Sequence, residues 1–437
     1  MRTTETVRIL AVNPWIHDFA AYDFWARPMG LLSLCAMLRR AGFPVDYFDC
    51  LASPSKNSSS PRFGRGPYRK SAIPKPAVFS DVPRTYSRYG VDPEEFLAYL
   101  KSLESPPSLI LVTCLMTYWY PGAFEVIKMV KEAFPSVPVV LGGIYATLFP
   151  EHAGQFSGAD FVAQGACENE IFSIAERFTG ARPETLPDYS DISSWPLIGL
   201  SDTRFAPVLG SLGCPYRCAY CASNFLQPQF RPKNADAIIE EIMHRVKSGV
   251  TDFAFYDDAL LVDADKRIGP VFDEIIGRGM NIRIHLPNAV HARFITSELA
   301  EKMFRAGVRT LRLGLETTSS REGLDGKVTL SEFRRSAENL RRAGFDKNTL
   351  GAYLLCGLPD HEDREVEEGI RVVKEAGVTP ILAHFSPMPR TALWERARAS
   401  SRYDIENEPL STNNSVFPCR PSFNWEALSR LKGLCSA

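Results

Sequence analysis

The chain has 437 residues, a formal net charge of −1 and a pI of about 6.7, with 45% hydrophobic and 23% charged residues, the balance of a folded globular protein. This length exceeds one ordinary hydrophobic core and predicts two domains, and the balanced charge argues against nucleic acid or an anionic membrane as a partner. Ten cysteines are too few for a disulfide scaffold, and no run approaches the ~18 apolar residues of a membrane span, so we expect a cytoplasmic protein.

The first part of the chain alternates short apolar runs with amphipathic stretches, which is typical of a parallel α/β sheet. Five strands are predicted, at Val7–Pro14, Val45–Cys50, Ser108–Leu115, Val137–Gly143 and Ala159–Gly165. Helices are predicted between them, for example at Met29–Phe43 and Pro121–Phe134. Residues 1–180 are therefore expected to form a Rossmann-like (flavodoxin-like) domain whose ligands bind beyond the carboxyl ends of the strands.

A basic insertion separates the second and third predicted strands. It has no acidic residue from Leu51 to Ser80 and is rich in Ser, Pro, Lys and Arg. Such a segment is expected to bury little surface, and residues 51–90 are predicted to be flexible, at least without a ligand. Two interpretations stay open: a solvated insertion, or a basic lid over a phosphate-bearing cofactor or substrate.

A Pro- and Trp-containing linker at residues 181–200 leads to a second α/β series. Its six strands are predicted at Phe205–Gly213, Asp252–Asp258, Asn281–Leu286, Arg309–Glu316, Leu350–Gly357 and Pro380–Pro387. Amphipathic helices between them are predicted at Ala235–Ser248, Ser297–Ala306 and Leu330–Ala343. Six βα units predict a (β/α)6 partial TIM barrel over residues 201–398, with its chemistry at the carboxyl ends of the strands. Residues 399–437 are expected to form a C-terminal cap or a short helical extension.

Three cysteines stand together directly after the first strand of this second series. Cys214, Cys218 and Cys221 lie in "GSLGCPYRCAYCASNF" at C-x3-C-x2-C spacing. A structural zinc site usually takes four ligands as two pairs, and the sequence offers no second C-x2-C pair. Soft thiolates suit iron–sulfur clusters, and three of them hold three irons of a [4Fe–4S] cluster while the fourth iron stays open to a small molecule. Most of the other seven cysteines, which are scattered singly, are expected to be buried small hydrophobes.

The stretch "CPYRCAYC" resembles the C-x3-C-x-aromatic-C signature of the radical S-adenosylmethionine (radical SAM) superfamily, with Tyr220 in the aromatic position. The resemblance covers about residues 204–398 and implies that the open iron chelates SAM. It also implies that one-electron reduction releases a 5′-deoxyadenosyl radical, which abstracts a hydrogen atom from the substrate. Supporting motifs appear in the family's order, as "FYDDALLVD", "RLGLET", "LLCGLPD" and "HFSPMPRTALW".

The same resemblance implies SAM contacts near the strand ends. The implied residues are Tyr220, Tyr256, Asp257, Asp258, Asn288, Glu316, Leu355, Gly357 and Pro387. Plainer interpretations stay open: the two aspartates as helix caps, Glu316 as an ordinary exposed carboxylate, and Gly357 as a turn residue. Three histidines near predicted strand ends are interpreted as structural, namely His285, His291 and His384.

The N-terminal half resembles, more loosely, the cobalamin-binding domain that precedes the barrel in a large radical SAM class. The resemblance is carried by "NPWIHDFAAYDFWARPMGLLSLCAMLRRAGF", "TCLMTYWYPGAFEVIKMVKEAFPSVPVVLGGIYATLFPE" and "ADFVAQGACENEI". It implies corrinoid contacts at Thr113, Tyr118, Gly142, Gly143 and Gly165, where a glycine turn exposes backbone amides. The D-x-H-x-x-G motif that supplies an axial histidine in classical cobalamin proteins is absent, and His17 has the wrong spacing for it. Many members of this class also lack the motif, so bound cobalamin and a degenerate or substrate-binding domain both stay open.

Together these features predict a cytoplasmic, oxygen-sensitive radical SAM enzyme with a [4Fe–4S] cluster, SAM and cobalamin as cofactors. The predicted reaction is methyl transfer to an unactivated carbon of a small-molecule substrate, with an electron donor such as flavodoxin or ferredoxin as partner; no catalytic side chain is assigned. One alternative is a cobalamin-independent radical SAM enzyme that performs rearrangement, oxidation or bond formation. A non-catalytic iron–sulfur carrier or sensor is disfavoured because a carrier normally completes its cluster with a fourth cysteine. Nucleic-acid modification is supported only by the basic insertion.

Overall fold

The computed structural model describes residues 3–52, 62–199, 204–318, 328–420 and 425–436, and the chain forms two compact units. The first unit holds Met1–Leu200 and Ile405–Ser415, and the second holds Ser201–Asp404 and Val416–Ala437. The chain therefore passes from one unit to the other three times, which was not predicted from the sequence. Among the described residues, no helix is both long enough and apolar enough to span a membrane.

The first unit contains ten strands and six α-helices in its described part. Its strands are β1 (Ile9–Asn13), β2 (Ile16–Asp18), β3 (Tyr22–Asp23), β4 (Val45–Asp49), β5 (Gly66–Pro67), β6 (Lys70–Ala72), β7 (Ser87–Tyr89), β8 (Leu109–Cys114), β9 (Val139–Gly143) and β10 (Phe161–Val162). Its helices are α1 (Met29–Arg40), α2 (Pro93–Ser102), α3 (Tyr120–Ala133), α4 (Ile144–Leu148), α5 (Pro150–Phe156) and α6 (Ile171–Thr179).

The central sheet of this unit is parallel and has the order β10-β9-β8-β1-β4. In chain order this is the 2-1-3-4-5 arrangement of flavodoxin-like folds, in which the strand order reverses between β1 and β8. All five residues of β1 and all six of β8 are buried, because both strands are covered on both faces. The predicted flavodoxin-like fold is confirmed, and each predicted strand contains one of the observed ones.

The expectation that the basic insertion buries little surface is wrong for its second half. Residues 53–61 lie outside the described residues, but β7 pairs with both β6 and β2 in a small antiparallel sheet. Phe79, Val82 and Tyr86 are at most 3% exposed, and Phe19 contacts the rings of Phe79 and Tyr86 edge-on. The average composition of the segment did not indicate these few apolar side chains, which are enough to pack it against the rest of the first unit.

The second unit contains eight strands and eight α-helices in its described part. Its strands are β11 (Ala206–Val208), β12 (Ser211–Leu212), β13 (Arg231–Pro232), β14 (Asp252–Phe255), β15 (Arg283–Val290), β16 (Val308–Glu316), β17 (Leu350–Cys356) and β18 (Thr379–His384). Its helices are α7 (Ser223–Leu226), α8 (Ala235–Lys247), α9 (Ile268–Gly277), α10 (Ser297–Arg305), α11 (Leu330–Ala343), α12 (Asp363–Glu375), α13 (Trp394–Ser400) and α14 (Trp425–Ser436).

Six of these strands form one parallel sheet in the order β11-β14-β15-β16-β17-β18, as the predicted (β/α)6 partial barrel requires. Helices alternate with the strands, and α8, α10, α11 and α12 begin at polar caps; at α11, the Thr329 side chain accepts the Glu332 N–H while the Glu332 carboxylate accepts the Thr329 N–H. This order brings the carboxyl ends of consecutive strands side by side, which positions the loops that follow them at one rim.

The opposite rim carries a buried polar network. Asp252 accepts a hydrogen bond from Arg283 Nε at 2.7 Å, and its Oδ1 lies 3.0 Å from His285 Nε2. The other ring nitrogen of His285 lies 3.0 Å from Thr310 Oγ1, and the ring is fully buried. Burial alone would raise the pKa of Asp252, but the contacts with His285 and Arg283 outweigh it and lower that pKa to about 2. His285 is therefore a structural residue, as predicted.

Candidate functional site

The three cysteines lie on one loop that begins beyond the carboxyl end of β11 and is closed at its base by a short hairpin. β12 pairs antiparallel with β13, and the Lys233 N–H donates to the Gly210 carbonyl at 2.9 Å. At Gly213 the chain enters the loop with φ +75°, and a Cβ there would lie 2.6 Å from the Gln229 carbonyl oxygen. Only glycine fits this turn, so the hairpin sets where the cysteine loop starts.

Side chains from this loop and from the following strands enclose a cavity of about 350 Å³. The lining residues are Cys214, Tyr216, Cys218, Tyr220, Cys221, Ser223, Asp258, Pro287, Asn288, Ala289, Glu316 and Tyr353. Seven predicted site residues therefore meet in one place: the three cysteines, Tyr220, Asp258, Asn288 and Glu316. Among the described residues, no three His, Cys, Asp or Glu side chains are grouped so as to hold a single metal ion.

The cysteine loop supplies sulfur atoms together with hydrogen bonds to one of them. Cys218 is buried, whereas Cys214 and Cys221 are half-buried. The Ser223 N–H donates to Cys221 Sγ at 3.5 Å, and the Ser223 hydroxyl oxygen lies 3.2 Å from the same sulfur. Three soft sulfurs around a partly open cavity, with a donor to a sulfur, fit an iron–sulfur cluster that keeps one iron accessible.

The adjacent residues Asp257 and Asp258 have different environments. Asp258 is exposed at the cavity, whereas Asp257 is 3% exposed and accepts hydrogen bonds from the Gly210 N–H (2.9 Å) and the Ser211 hydroxyl (2.6 Å). Arg267 donates to the Gly210 carbonyl at 2.9 Å. Burial raises the pKa of Asp257 to about 6, although these hydrogen bonds and the charge of Arg267 oppose it. Asp257 thus fastens the base of the cysteine loop to the end of β14.

Asn288 lies in an irregular part of β15, where the register with β16 shifts. Its side-chain amide donates to the Tyr256 carbonyl at 2.9 Å, and the Tyr353 hydroxyl donates to the Pro287 carbonyl at 2.9 Å. The first bond connects β15 to the residue that follows β14, and the second connects β15 to β17 across the intervening strand β16. The irregularity turns Asn288 toward the cavity, as bulges beside active sites commonly do.

Glu316 ends β16 in a strained backbone conformation. Its φ is +63°, which is uncommon for a residue other than glycine, and the β16–β17 register shifts between Gly314 and Glu316. The side chain is 5% exposed and lines the cavity, so the alternative of an ordinary exposed carboxylate is wrong. Strain of this kind is retained where the surrounding structure imposes it, often at ligand sites.

Five predicted SAM contacts are not among the described residues that line the cavity, and their role stays a prediction: Tyr256, Asp257, Leu355, Gly357 and Pro387. Gly357 has φ +86°, and a Cβ there would lie 2.9 Å from the Phe417 ring. The His384 ring also contacts Phe417, with 4.5 Å between centroids, and His291 stacks on Tyr216 at 4.6 Å. Both histidines therefore support neighbouring side chains.

Sequence reasoning missed three polar or aromatic residues of the cavity. Tyr216 and Ser223 stand inside or next to the cysteine motif, and that proximity was the available signal. Tyr353 stands in the apolar strand β17, where one hydroxyl within a buried run was the signal. Its hydrogen bond to a backbone carbonyl explains why a polar group is tolerated there.

The predicted corrinoid contacts of the first unit gather at the carboxyl edge of its sheet. Thr113 of β8 pairs in register with Gly142 of β9, and Gly143 follows with φ +95°. A Cβ on Gly143 would lie 2.6 Å from a backbone oxygen of β8, whereas one on Gly142 would meet nothing closer than 3.8 Å. The Thr147 hydroxyl joins this turn to the next loop, since it donates to the Gly143 carbonyl (2.8 Å) and accepts from the Gly165 N–H (2.9 Å). The open backbone at Gly142 fits a large ligand that approaches closely.

His17, in β2 near this edge, contacts a carboxylate. Its Nε2 lies 3.0 Å from Glu125 Oε2, an ion-pair distance outside good hydrogen-bond alignment, and Arg88 contacts the same carboxylate. Burial tends to raise the pKa of Glu125, but His17 and Arg88 outweigh it and lower that pKa. The pairing with Glu125 agrees with the prediction that His17 is not an axial ligand. Tyr118, the remaining predicted corrinoid contact, lies in the turn after β8 and is 3% exposed.

Two family models match the two units. Residues 208–382 match the radical SAM superfamily, and residues 84–172 match the B12 binding domain. The chain therefore contains a radical SAM domain preceded by a B12-binding domain. Cofactors typical of such B12-binding radical SAM enzymes are a [4Fe–4S] cluster, SAM and cobalamin, as predicted.

Curated relatives are distant. An uncharacterized methyltransferase of Pyrococcus horikoshii is 25% identical over 345 residues, which cover 70% of this chain and 72% of the relative. An anaerobic magnesium-protoporphyrin IX monomethyl ester cyclase of Cereibacter sphaeroides is 23% identical over 435 residues, which cover 90% of this chain and 64% of the relative. This chain thus spans about two thirds to three quarters of their length.

Among solved structures, the radical SAM methyltransferase TsrM of Kitasatospora setae shares the fold. The structure with tryptophan and a SAM analogue bound has a TM-score of 0.65 at 16% identity, covering 91% of this chain and 77% of that one. A second structure of TsrM, with cobalamin and a [4Fe–4S] cluster bound, has a TM-score of 0.64 at 15% identity and covers 92% and 76%.

Proposed function

We propose that this radical SAM protein is a cobalamin-dependent methyltransferase that acts on an unactivated carbon of a small-molecule substrate. The observation that carries the proposal is the combination, in one chain, of a three-cysteine cavity with polar rim residues and a B12-binding domain. The names of two relatives, a methyltransferase at 25% identity and TsrM at 16%, support the same reaction type.

In this proposal Cys214, Cys218 and Cys221, which all line the cavity, would hold the cluster and would leave one of its irons without a cysteine ligand. Glu316 and Asn288, whose orientations the strand irregularities determine, are positioned to hydrogen-bond SAM, with Asp258 beside them. When bound, the cluster supplies the electron that cleaves SAM, and the corrinoid carries the methyl group. Tyr216 and Tyr220 shield the cavity with apolar ring surface and so limit the access of water to a reactive radical.

The carboxyl edge of the first unit is the proposed corrinoid site. Thr113, Gly142, Gly143 and Gly165 form its floor, and Tyr118 borders it at the point where the strand order reverses. Reduction of the cluster also needs a one-electron donor, for which a flavodoxin or a ferredoxin is proposed. The domain limits of 1–180 and 201–398, with 181–200 as linker and 399–437 as a C-terminal extension, stay a proposal; within that extension, Ile405–Ser415 belongs to the first compact unit.

Anaerobic reconstitution tests the cluster and its ligands. We expect one [4Fe–4S] cluster per chain and formation of 5′-deoxyadenosine from SAM after reduction. Alanine at Cys214, Cys218 and Cys221 together should abolish both, while Cys435→Ala, outside the cavity, should leave both unchanged. A triple variant that keeps its cluster, or zinc in the purified site, would contradict the assignment.

A second candidate is radical oxidation with ring formation, because a relative named as a cyclase aligns over 90% of this chain. SAM with a deuterated methyl group separates the two. Label recovered in the corrinoid fraction of the anaerobic enzyme supports methyl transfer. Cleavage of SAM without any label in that fraction, in protein loaded with cobalamin, favours the second candidate.

A further inference from the structure

A C-terminal segment belongs to the first unit although it follows the barrel in the sequence. This segment, Ile405–Ser415, is here named the strap. The residues that flank the strap on either side are held close together by Arg402. Its backbone N–H donates to the Pro418 carbonyl (3.0 Å), and its side chain donates to the Val416 carbonyl (2.9 Å). The strap is therefore a closed loop of the Ω type, which usually has a function.

The tip of the strap is buried and polar. Ser411, Thr412 and Asn413 are fully buried, which is unusual for residues of these types. Burial of such side chains is tolerable when they are hydrogen-bonded, and the bonds of Thr412 and Asn413 reach specific partners in the first unit. Asn413 donates to Asp18 Oδ1 at 2.9 Å, and the hydroxyls of Thr412 and Thr117 lie 2.6 Å apart.

A third bond extends the same contact. Glu408, at the start of the buried tip, accepts from the Tyr120 hydroxyl at 2.9 Å. Asp18 ends β2, which follows β1, whereas Thr117 and Tyr120 lie in the segment that follows β8. The strap thus joins the two loops that leave β1 and β8.

Those loops flank the point at which the strand order of the sheet reverses. Open α/β sheets bind their ligands beyond the carboxyl ends of the strands at this reversal. We propose that the strap is a wall of the corrinoid site, and that Thr412 and Asn413 are positioning residues which hold the loops after β1 and β8 in their binding positions. This inference rests on the proposed function and adds to the B12-binding domain a segment distant from residues 84–172.

The strap remains in place when the corrinoid binds, because leaving would break a buried network. Asp18 also accepts from the Trp119 indole N–H (2.8 Å) and the Phe19 N–H (2.6 Å), so its carboxylate depends on fixed donors. Burial raises the pKa of Asp18, and the Asn413 amide is the strongest of the contacts that oppose this. Withdrawal of Asn413 would remove that donor from a buried carboxyl, which is unfavourable.

The test compares Thr412→Val, which keeps the shape and removes the hydroxyl, with Thr412→Ser, which keeps the hydroxyl. Hydroxocobalamin is titrated by equilibrium dialysis into the anaerobic, cluster-loaded full chain. We expect the dissociation constant of Thr412→Val to rise about tenfold, because the hydrogen bond between the Thr412 and Thr117 hydroxyls is lost, and that of Thr412→Ser to stay near wild type. Asn407→Ala, at an exposed position of the same strap, is the control, and iron content and SAM cleavage should not change in any variant.

Each outcome decides a separate point. Wild-type protein that binds no hydroxocobalamin overturns the corrinoid assignment and this inference with it. Equal affinity of wild type and Thr412→Val, or tighter binding by the variant, overturns the strap alone. If Thr412→Val does not fold, hydrogen exchange of wild-type residues 405–415 decides: slower exchange with hydroxocobalamin supports the wall, and unchanged or faster exchange overturns it.

Discussion

Replacement of Asp257 by asparagine tests whether this carboxylate anchors the cysteine loop or contacts SAM. Asparagine has the same shape and can still accept from the Gly210 N–H, and its amide can donate to the Ser211 hydroxyl, which reorients freely. The variant therefore removes a titrating group while it preserves the two connections. The wild-type chain and the variant should differ mainly in how their stability depends on pH.

The size of that difference follows from the raised pKa. Asp257 has an ordinary value of 3.8 and a value of about 6 in the folded protein, so between these pH values the folded state holds a proton that the unfolded state has released. Its contribution to stability is fully present below pH 3.8 and is lost as the pH rises through 6. The difference between the two pKa values corresponds to about 3 kcal/mol in the free energy of unfolding, of which about 2 kcal/mol is lost between pH 4.5 and 7.5.

Urea unfolding of both proteins, followed by circular dichroism at several pH values without oxygen, measures this change as a difference between two curves. Asp258→Asn is the matched control: it removes the neighbouring carboxylate, keeps Asp257, and should retain most of the wild-type pH dependence. A flat difference between wild type and Asp257→Asn would refute the buried titration. Loss of SAM affinity in Asp257→Asn with unchanged pH dependence would identify a direct contact with SAM.

Three further predictions concern the two sites and the insertion. Ser223→Ala should make the reduction potential of the cluster more negative by about 40 mV, because a hydrogen bond of about 1 kcal/mol to Cys221 that favours the reduced cluster is lost. A redox titration monitored by EPR measures this potential, and an unchanged value would contradict the prediction. Cobalt(II) EPR should show no axial nitrogen splitting in wild type or in His17→Gln, and splitting lost in the variant would identify His17 as a ligand. Protease cleavage within residues 51–76 should slow when corrinoid or substrate binds, and equal rates would favour a solvated insertion.

The elements that sequence predicted well are those whose signal is local. The central strands β1 and β8 lie in continuous apolar runs, because strands covered on both faces need apolar residues at nearly every position. The cysteine loop was recognisable because its ligands lie within eight residues of each other in the chain. The strap was not predicted, since its bonds join residues such as Asp18 and Asn413 that are almost 400 positions apart.

Neighbouring residues could not be told apart for a related reason. Asp257 and Asp258 have the same side chain, but one turns to the hairpin base and the other to the cavity. Which one faces inward depends on where β14 ends and how the loop leaves it, and a shift of one residue exchanges the two. The register shifts at Asn288 and Glu316 have the same character, because nothing in a strand's own sequence records an irregular pairing with its neighbour.

One rim of the barrel stabilises the fold, and the opposite rim holds the residues of the proposed cofactor site. At the amino ends, the bonds of Asp252 to Arg283 and His285 join β14 to β15 in regular register. At the carboxyl end of β16, the register with β17 shifts and Glu316 adopts a left-handed conformation; the β15–β16 register also shifts beside His285. A strained residue persists only when the rest of the structure fixes it, and β16, which ends at Glu316, is paired with β15 on one side and β17 on the other. The strained rim is also where the cysteine loop, Asn288 and Glu316 meet, which is why the cavity forms there.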